Sequence, residues 1–190
     1  TKDRIPFTKG EILLLVTEAL RLDDEQRRIA LVLALTGARL AEIVGLRKTD
    51  FDRTSKIIHI REHVTRSVKT AQSNRVVPLL PFAFEAISKQ AKEARGDYLF
   101  PSYASDKGTN ADAASATLNK WAKKHVDGKT MHCFRHALRD LLRAVMCPES
   151  VAKEIGGWSS SHDVSVQYGQ GYPIKLKLEW LEKAYLFIKI

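Results

Sequence analysis

Apolar residues follow a helical period along most of this chain and give way to a β-branched pattern once, between Phe51 and Leu80. Phe7, Thr8 and Glu11 supply a leading hydrophobic residue, an N-cap and a capping-box partner, which predicts a first helix running to about Leu20. A second begins near Asp24, carries the apolar run IALVLALTG and stops at Gly37. RLAEIVGL, from Arg39 to Leu46, predicts a short helix whose entry turn projects Arg39 from a buried base. KIIHI and RVVPL read as two short strands of an antiparallel sheet, and the polar stretch TRSVKTAQSN between them as a long hairpin tip carrying Lys69.

Helix returns from Pro81 to Arg95, DYLFPS reads as an extended connector, and helices are expected over about 110–126, 131–145 and 148–156. SSSHDVSVQYGQG predicts a short polar helix or loop, and KLKLEWLEKAYLFI a terminal amphipathic helix. With no repeat, low-complexity tract or internal linker, the 190 residues predict one mainly α domain with a small antiparallel β-sheet, an α+β fold over 1–190.

Charge changes this picture most. A formal net charge of +9 favours a polyanionic partner, nucleic acid first, with acidic membranes or proteins as alternatives. No stretch approaches the roughly 18 consecutive apolar residues of a membrane span, and TKDRIPFTKGE lacks the apolar core of a secretory signal. Cys133 and Cys147 do not make a disulfide framework, so a reducing, cytoplasmic setting is the simpler reading.

The candidate chemistry concentrates in MHCFRHALRD, residues 131 to 140, which supports three mutually exclusive readings. H-C-x5-R is the spacing of a cysteine phosphatase, with Cys133 as nucleophile and Arg139 closing the phosphate loop. Such a loop needs glycine where backbone N–H groups wrap the phosphate, and this stretch has none and reads as helix, with Phe134, Leu138, Leu141 and Leu142 on one face. His132 and His136, at i and i+4, have the spacing of two metal ligands, yet no complementary ligand pair is visible elsewhere. His132 and Arg135 form the third pairing, two anion-binding side chains about one helical turn apart.

That third reading gains from an ordered set of other motifs. TGARLAEI around Arg39, the lysine of VKTAQSNRVVPL, HCFRH as an H-x-x-R box, and IGGW followed ten positions later by Tyr168 occur in one order. Together they resemble the catalytic domain of the tyrosine recombinases, the phage integrase family, over essentially the whole chain. The resemblance implies cleavage of one DNA strand by a tyrosine hydroxyl, leaving a 3′-phosphotyrosine and a free 5′-hydroxyl, and rejoining without ATP. It assigns Arg39 and Arg135 to the non-bridging oxygens, where guanidinium groups donate bidentately to developing charge. Tyr168 matches the nucleophile, His132 a base or phosphate donor, Lys69 the general acid for the 5′ oxygen, and Trp158 a position where relatives have His or Trp.

Each assignment has a competitor within the sequence. Lys56 and Arg66 lie near Lys69, Tyr172 and Tyr185 compete with Tyr168, and His162 is the alternate donor to Trp158, because the Trp158-to-Tyr168 interval is one residue longer than the commonest family spacing. Arg135 could simply pair with an acidic residue. Glu42, one turn after Arg39, is expected to orient that arginine or nearby backbone, His136 to support His132, and Cys133 to be a small packing residue on another helix face.

Site-specific recombination or integration is therefore the leading expectation, without metal or other cofactor because arginines and lysine supply the charge stabilisation. Relaxation by a type IB topoisomerase-like enzyme and a non-catalytic DNA-binding module are the alternatives. The expected partners are double-stranded DNA and further copies of the chain assembling on it as a tetrameric synapse, in the cytoplasm of a bacterial host. Relatives carry a separate DNA-binding domain before this one, so the chain reads as a catalytic fragment. Its terminal helix either packs on its own domain or exchanges between protomers.

Overall fold

The computed structural model describes residues 5–63, 74–158 and 171–189. Lys69, Tyr168, Arg66 and His162 lie outside these residues. Three helices open the chain: α1 (Lys9–Leu22), α2 (Glu25–Thr36) and α3 (Leu40–Val44). The capping box predicted for α1 forms, with the Glu11 backbone N–H donating to Thr8 Oγ1 at 3.2 Å and the Thr8 N–H to Glu11 Oε2 at 2.7 Å. Asp24 caps α2 in the same way through Arg27 N–H.

Helix α2 is buried on every side from Arg28 to Thr36, which explains why its sequence is an apolar run rather than a stripe. It forms the centre of the helical layer and packs against α1, α3, α4 (Pro81–Glu93), α5 (Ala111–Ala122) and α6 (Cys133–Ala144). Gly37 ends it at φ +60, a left-handed conformation that glycine adopts without steric cost. A Cβ there would lie 2.4 Å from Leu138 Cδ2, so the missing side chain also lets α6 approach this turn.

A three-stranded antiparallel sheet flanks the helices: β1 (Phe51–Asp52), β2 (Ile57–Ile60) and β3 (Arg75–Pro78), with Ile57 opposite Pro78 and Ile60 opposite Arg75. KIIHI and RVVPL thus pair as expected, and β1 is an addition. The predicted connector at DYLFPS carries an isolated bridge from Tyr98 to Arg47. A two-stranded hairpin, β4 (Ala104–Ser105) with β5 (Gly108–Thr109), follows it unanticipated, two residues per strand being too short for a periodic signal. The two following helices begin close to where they were expected, α5 ending at Ala122 with irregular turns to Val126 and α6 starting after His132.

The last helices are α7 (Glu149–Gly156) and α8 (Ile174–Ala184). α8 packs against β3 and α6 of its own domain, burying Leu181, Ala184 and Tyr185. The Tyr185 hydroxyl donates to the Ala34 carbonyl of α2 at 2.6 Å, fastening the C-terminal helix to the central one. No helix among the described residues is long and apolar enough to cross a membrane.

Candidate active site

Arg39 sits at the turn between α2 and α3, as the N-cap residue of α3, because Gly37 turns the chain and Ala38 is buried behind it. Glu42, in the first turn of α3, binds Arg39 twice: Oε2 accepts from the Arg39 backbone N–H at 2.8 Å and Oε1 from Nη1 at 2.9 Å. Glu42 thus contacts both the side chain and the backbone of Arg39. Arg75, the first residue of β3, also reaches this carboxylate, with Nη1 to Oε1 at 3.1 Å and Nη2 to Oε2 at 3.0 Å. Burial alone would push the Glu42 carboxyl up, but the hydrogen bonds and charge of Arg75, then those of Arg39, bring it to about 2.

Arg135 enters the same corner from the first turn of α6. Its side chain is buried and held by main-chain oxygens: Nη1 donates to the Gly37 carbonyl at 2.9 Å and Nη2 to the Gly157 carbonyl at 3.2 Å. Among the described residues no carboxylate forms an ion pair with it, the rival expectation. Burial first, then the charges of Arg39 and Arg75, push its pKa down to about 9, with Glu42 opposing and Arg139 adding to the shift. Among the described residues positive charge exceeds negative charge here, which is the electrostatic condition for binding an anion.

The IGGW sequence at the end of α7 makes the opposite wall. Gly157 caps α7 at φ +61, and a Cβ on it would come within 2.7 Å of Arg75 Nη1. Gly156 leaves room for the Trp158 ring, whose Cε3 would lie 2.4 Å from an added Cβ. That ring stacks beside two guanidinium groups, with Arg135 Cζ 5.0 Å and Arg139 Cζ 5.7 Å from its centroid.

His132 is exposed at the N-terminus of α6, one turn before Arg135. The His136 ring meets it edge-on with centroids 5.0 Å apart, as expected of a supporting neighbour. Among the described residues no group of three or more His, Cys, Asp or Glu side chains suits a metal ion. Cys133 is fully buried whereas His132 is exposed, which fits a packing residue.

The structure thus brings Arg39, Arg135 and Trp158 to one corner, with His132 one turn before Arg135, while Lys69 and Tyr168 fall outside the described residues. Of the rival tyrosines, Tyr185 has its hydroxyl committed to Ala34, and full burial pushes that phenol far up. Tyr172 lies 2.8 Å from Ser150 Oγ through its hydroxyl, and its N–H donates to Glu154. Ser150 is in the first turn of α7 and Trp158 just past its end, about 12 Å apart at about 1.5 Å per residue. Arg75 is the site residue that sequence reasoning passed over. Its signal was an arginine opening a β-like run, with no local acidic partner to mark it.

A family model described as the phage integrase family matches residues 7–172, which includes every element from α1 to the turn before α8. The chain belongs to the phage integrase family. Solved structures share its fold. An integrase of the Tn1549 transposon, determined with transposon right end DNA, aligns over 95% of this chain and 62% of its own, at 18% identity and a TM-score of 0.63. XerA recombinase aligns over 95% and 63% at 19% identity and 0.63, and the integrase of mycobacterium phage Brujita over 90% and 56% at 18% and 0.63. The chain therefore spans less than two thirds of the length of these relatives. No curated protein matches it closely enough to count as a relative.

Proposed function

We propose that this domain cuts and rejoins double-stranded DNA at specific sites through a phosphotyrosine intermediate, as the working part of a recombinase or integrase. The observation that carries this reading is the corner where Arg39 and Arg75 share the Glu42 carboxylate beside the buried Arg135, so that positive charge dominates among the described residues. A phosphodiester entering there supplies the missing negative charge. Its five-coordinate transition state places more charge on the non-bridging oxygens, which strengthens the guanidinium contacts as the reaction proceeds.

In this scheme the Tyr168 oxygen forms a bond to phosphorus while the bond from phosphorus to the 5′ oxygen breaks. The phenolic proton leaves with assistance from His132, and Lys69 protonates the departing 5′ oxygen. Rejoining reverses each transfer, so one phosphate ester replaces another and no nucleotide is consumed. The guanidinium and ammonium groups carry the electrostatic load that a divalent ion bears in other nucleases, so the reaction runs without metal. Trp158 covers the Arg135 guanidinium and presents its indole N–H to the phosphate. Binding to DNA is salt-dependent through phosphate contacts, a preceding DNA-binding domain completes the clamp, and four protomers form the synapse on DNA.

The test is a duplex nicked next to the cut site, which traps the intermediate by letting the short fragment that bears the free 5′-hydroxyl diffuse away. A covalent protein–DNA adduct is expected in the presence of a chelator and without nucleotide, and it should disappear with Tyr168→Phe. Adduct formation that requires zinc or magnesium would return His132 and His136 to a metal-binding role. No adduct under any condition would leave a DNA-binding module.

A further inference from the structure

Arg75 meets Glu42 head-on, with both terminal nitrogens engaged by the two carboxylate oxygens, whereas Arg39 approaches Oε1 from the side and Oε2 through its backbone. The bidentate arrangement is the strongest geometry a carboxylate offers a guanidinium. Arg75 is held in it independently: Nε donates to the Ile155 carbonyl at 3.3 Å, and the absent side chain of Gly157 leaves the space its guanidinium fills. One side chain from β3 therefore ties the α3 turn that presents Arg39 to the end of α7 that presents Trp158.

We propose that Arg75 is a positioning residue for Arg39: by occupying the fork of Glu42, it prevents that carboxylate from drawing the Arg39 guanidinium into the same two-bond embrace and away from the scissile phosphate. This rests on the proposed strand-cleavage function. Without Arg75, Glu42 would be a buried carboxylate with the Arg39 guanidinium already at hydrogen-bond distance, and the pair would close. Arg39 would then be neutralised by its own helix rather than by substrate. Arg75 touches no reacting atom in this scheme and acts through the orientation of Arg39.

The distinguishing consequence is suppression. Neutralising Glu42 restores stability whether Arg75 braces the fold or competes for the carboxylate, because it removes an unpaired buried charge, but it restores the rate per folded molecule only if Glu42 had captured Arg39. Arg75→Ala, and Arg75→Met, which keeps an unbranched apolar stem, should each slow single-turnover adduct formation by about 100-fold. Adding Glu42→Gln to either should restore the rate by about tenfold, because a neutral amide holds a guanidinium far less strongly than a carboxylate does.

Rates are compared for the folded fraction, read from thermal melts of each protein. A double variant no faster than its Arg75 single variant, or Arg75 variants as fast as the wild-type protein, overturns the proposal. So does loss of the folded state in both single variants that Glu42→Gln leaves unrepaired, since Arg75 is then needed for folding itself. The wild-type protein on the same nicked duplex separates the two levels: no adduct there sinks the strand-cleavage reading itself.

Discussion

Two arginines in this domain are buried to the same degree, each 4% exposed, and their surroundings could hardly differ more. Arg28, on α2, is saturated: Nε binds Asp23, Nη1 binds Gln90 and Glu93, and Nη2 binds the Asp23 carbonyl and Glu93. Burial lowers its pKa, but hydrogen bonds and charges from Glu93 and Asp23 reverse that and leave it raised. Arg135 receives two main-chain carbonyls and faces other guanidinium groups, and its pKa falls to about 9. Arg28 is a buried cation whose counter-charge is part of the fold. Arg135 is a buried cation with no carboxylate bonded to it among the described residues, and in the proposed reaction its counter-charge comes from the phosphate. On the proposed function, the cost of burying that charge is offset when phosphate binds, which is how a binding arginine would differ from a structural one.

The comparison breaks most directly on activity. Arg135→Ala is expected to slow adduct formation by about 10³-fold or more, as the loss of a charge-assisted donor strongest in the transition state should. Arg28→Met should instead lower stability by roughly 3 kcal/mol, because it leaves Asp23, Gln90 and Glu93 without their shared donor. Its rate per folded molecule should stay at the wild-type level. Single-turnover rates paired with denaturant melts check both. An Arg28→Met protein that is stable but slow would mean the two arginines do not divide the labour in this way.

Much of this contrast was legible before any coordinates. The Thr8–Glu11 capping box, the Gly37 stop and the apolar run of α2 are local signals, and each placed an element to within a few residues. Arg39 and Arg135 stood out because they sit in short motifs whose order is specific. What the sequence did not carry was pairing across distance. Glu42 and Arg75 are 33 positions apart in sequence, and only the tertiary fold brings the first residue of β3 to the α3 carboxylate. The roles of the glycines in IGGW were hidden likewise, since one makes room for Arg75 and the other for the ring of Trp158. β4 and β5 were missed because two-residue strands have no period to read.

The acid limb of stability sharpens the comparison from the carboxylate side. Glu42 has a folded-state pKa near about 2 against an ordinary value of 4.5, so its ion pairing stabilises the fold above the unfolded value and is lost as pH falls from 4.5 towards 2. A shift of that size corresponds to on the order of 3 kcal/mol. Unfolding free energy measured by urea titration between pH 5 and pH 2 should drop steeply in the wild-type protein and less so in Glu42→Gln. Parallel curves would mean that Arg75 and Arg39 do not hold Glu42 ionised.

A smaller effect is expected at the turn that both serves and supports Arg135. Gly37 offers its carbonyl to Arg135 Nη1 while holding φ +60, and an alanine Cβ there would meet Leu138. Gly37→Ala should therefore cost about 2 kcal/mol through backbone strain and overpacking, with α6 displaced from the turn. The same change should slow cleavage beyond the loss of folded protein, because Arg39 lies two residues on. A variant that melts earlier but cleaves at the wild-type rate per folded molecule would show that the turn can relax without moving either arginine.

The smallest expected effect concerns what Trp158 gives to Arg135. Its ring lies 5.0 Å from the guanidinium, and a cation over an aromatic face is worth about 0.5–2 kcal/mol depending on how far water is excluded. Phenylalanine keeps a face and loses the indole N–H, whereas leucine keeps neither. If covering Arg135 is the larger contribution, Trp158→Phe should cleave within about fivefold of wild type, and Trp158→Leu should fall by about tenfold or more. The stability of the two variants should differ little, since the ring packs against Gly156 at the rim of the core rather than inside it. Equal damage from the two substitutions would assign the loss to the N–H instead, making Trp158 a direct donor to the phosphate. In that case Arg135 would be shielded by protein on fewer sides than the geometry implies, and more of its counter-charge would have to come from the DNA itself.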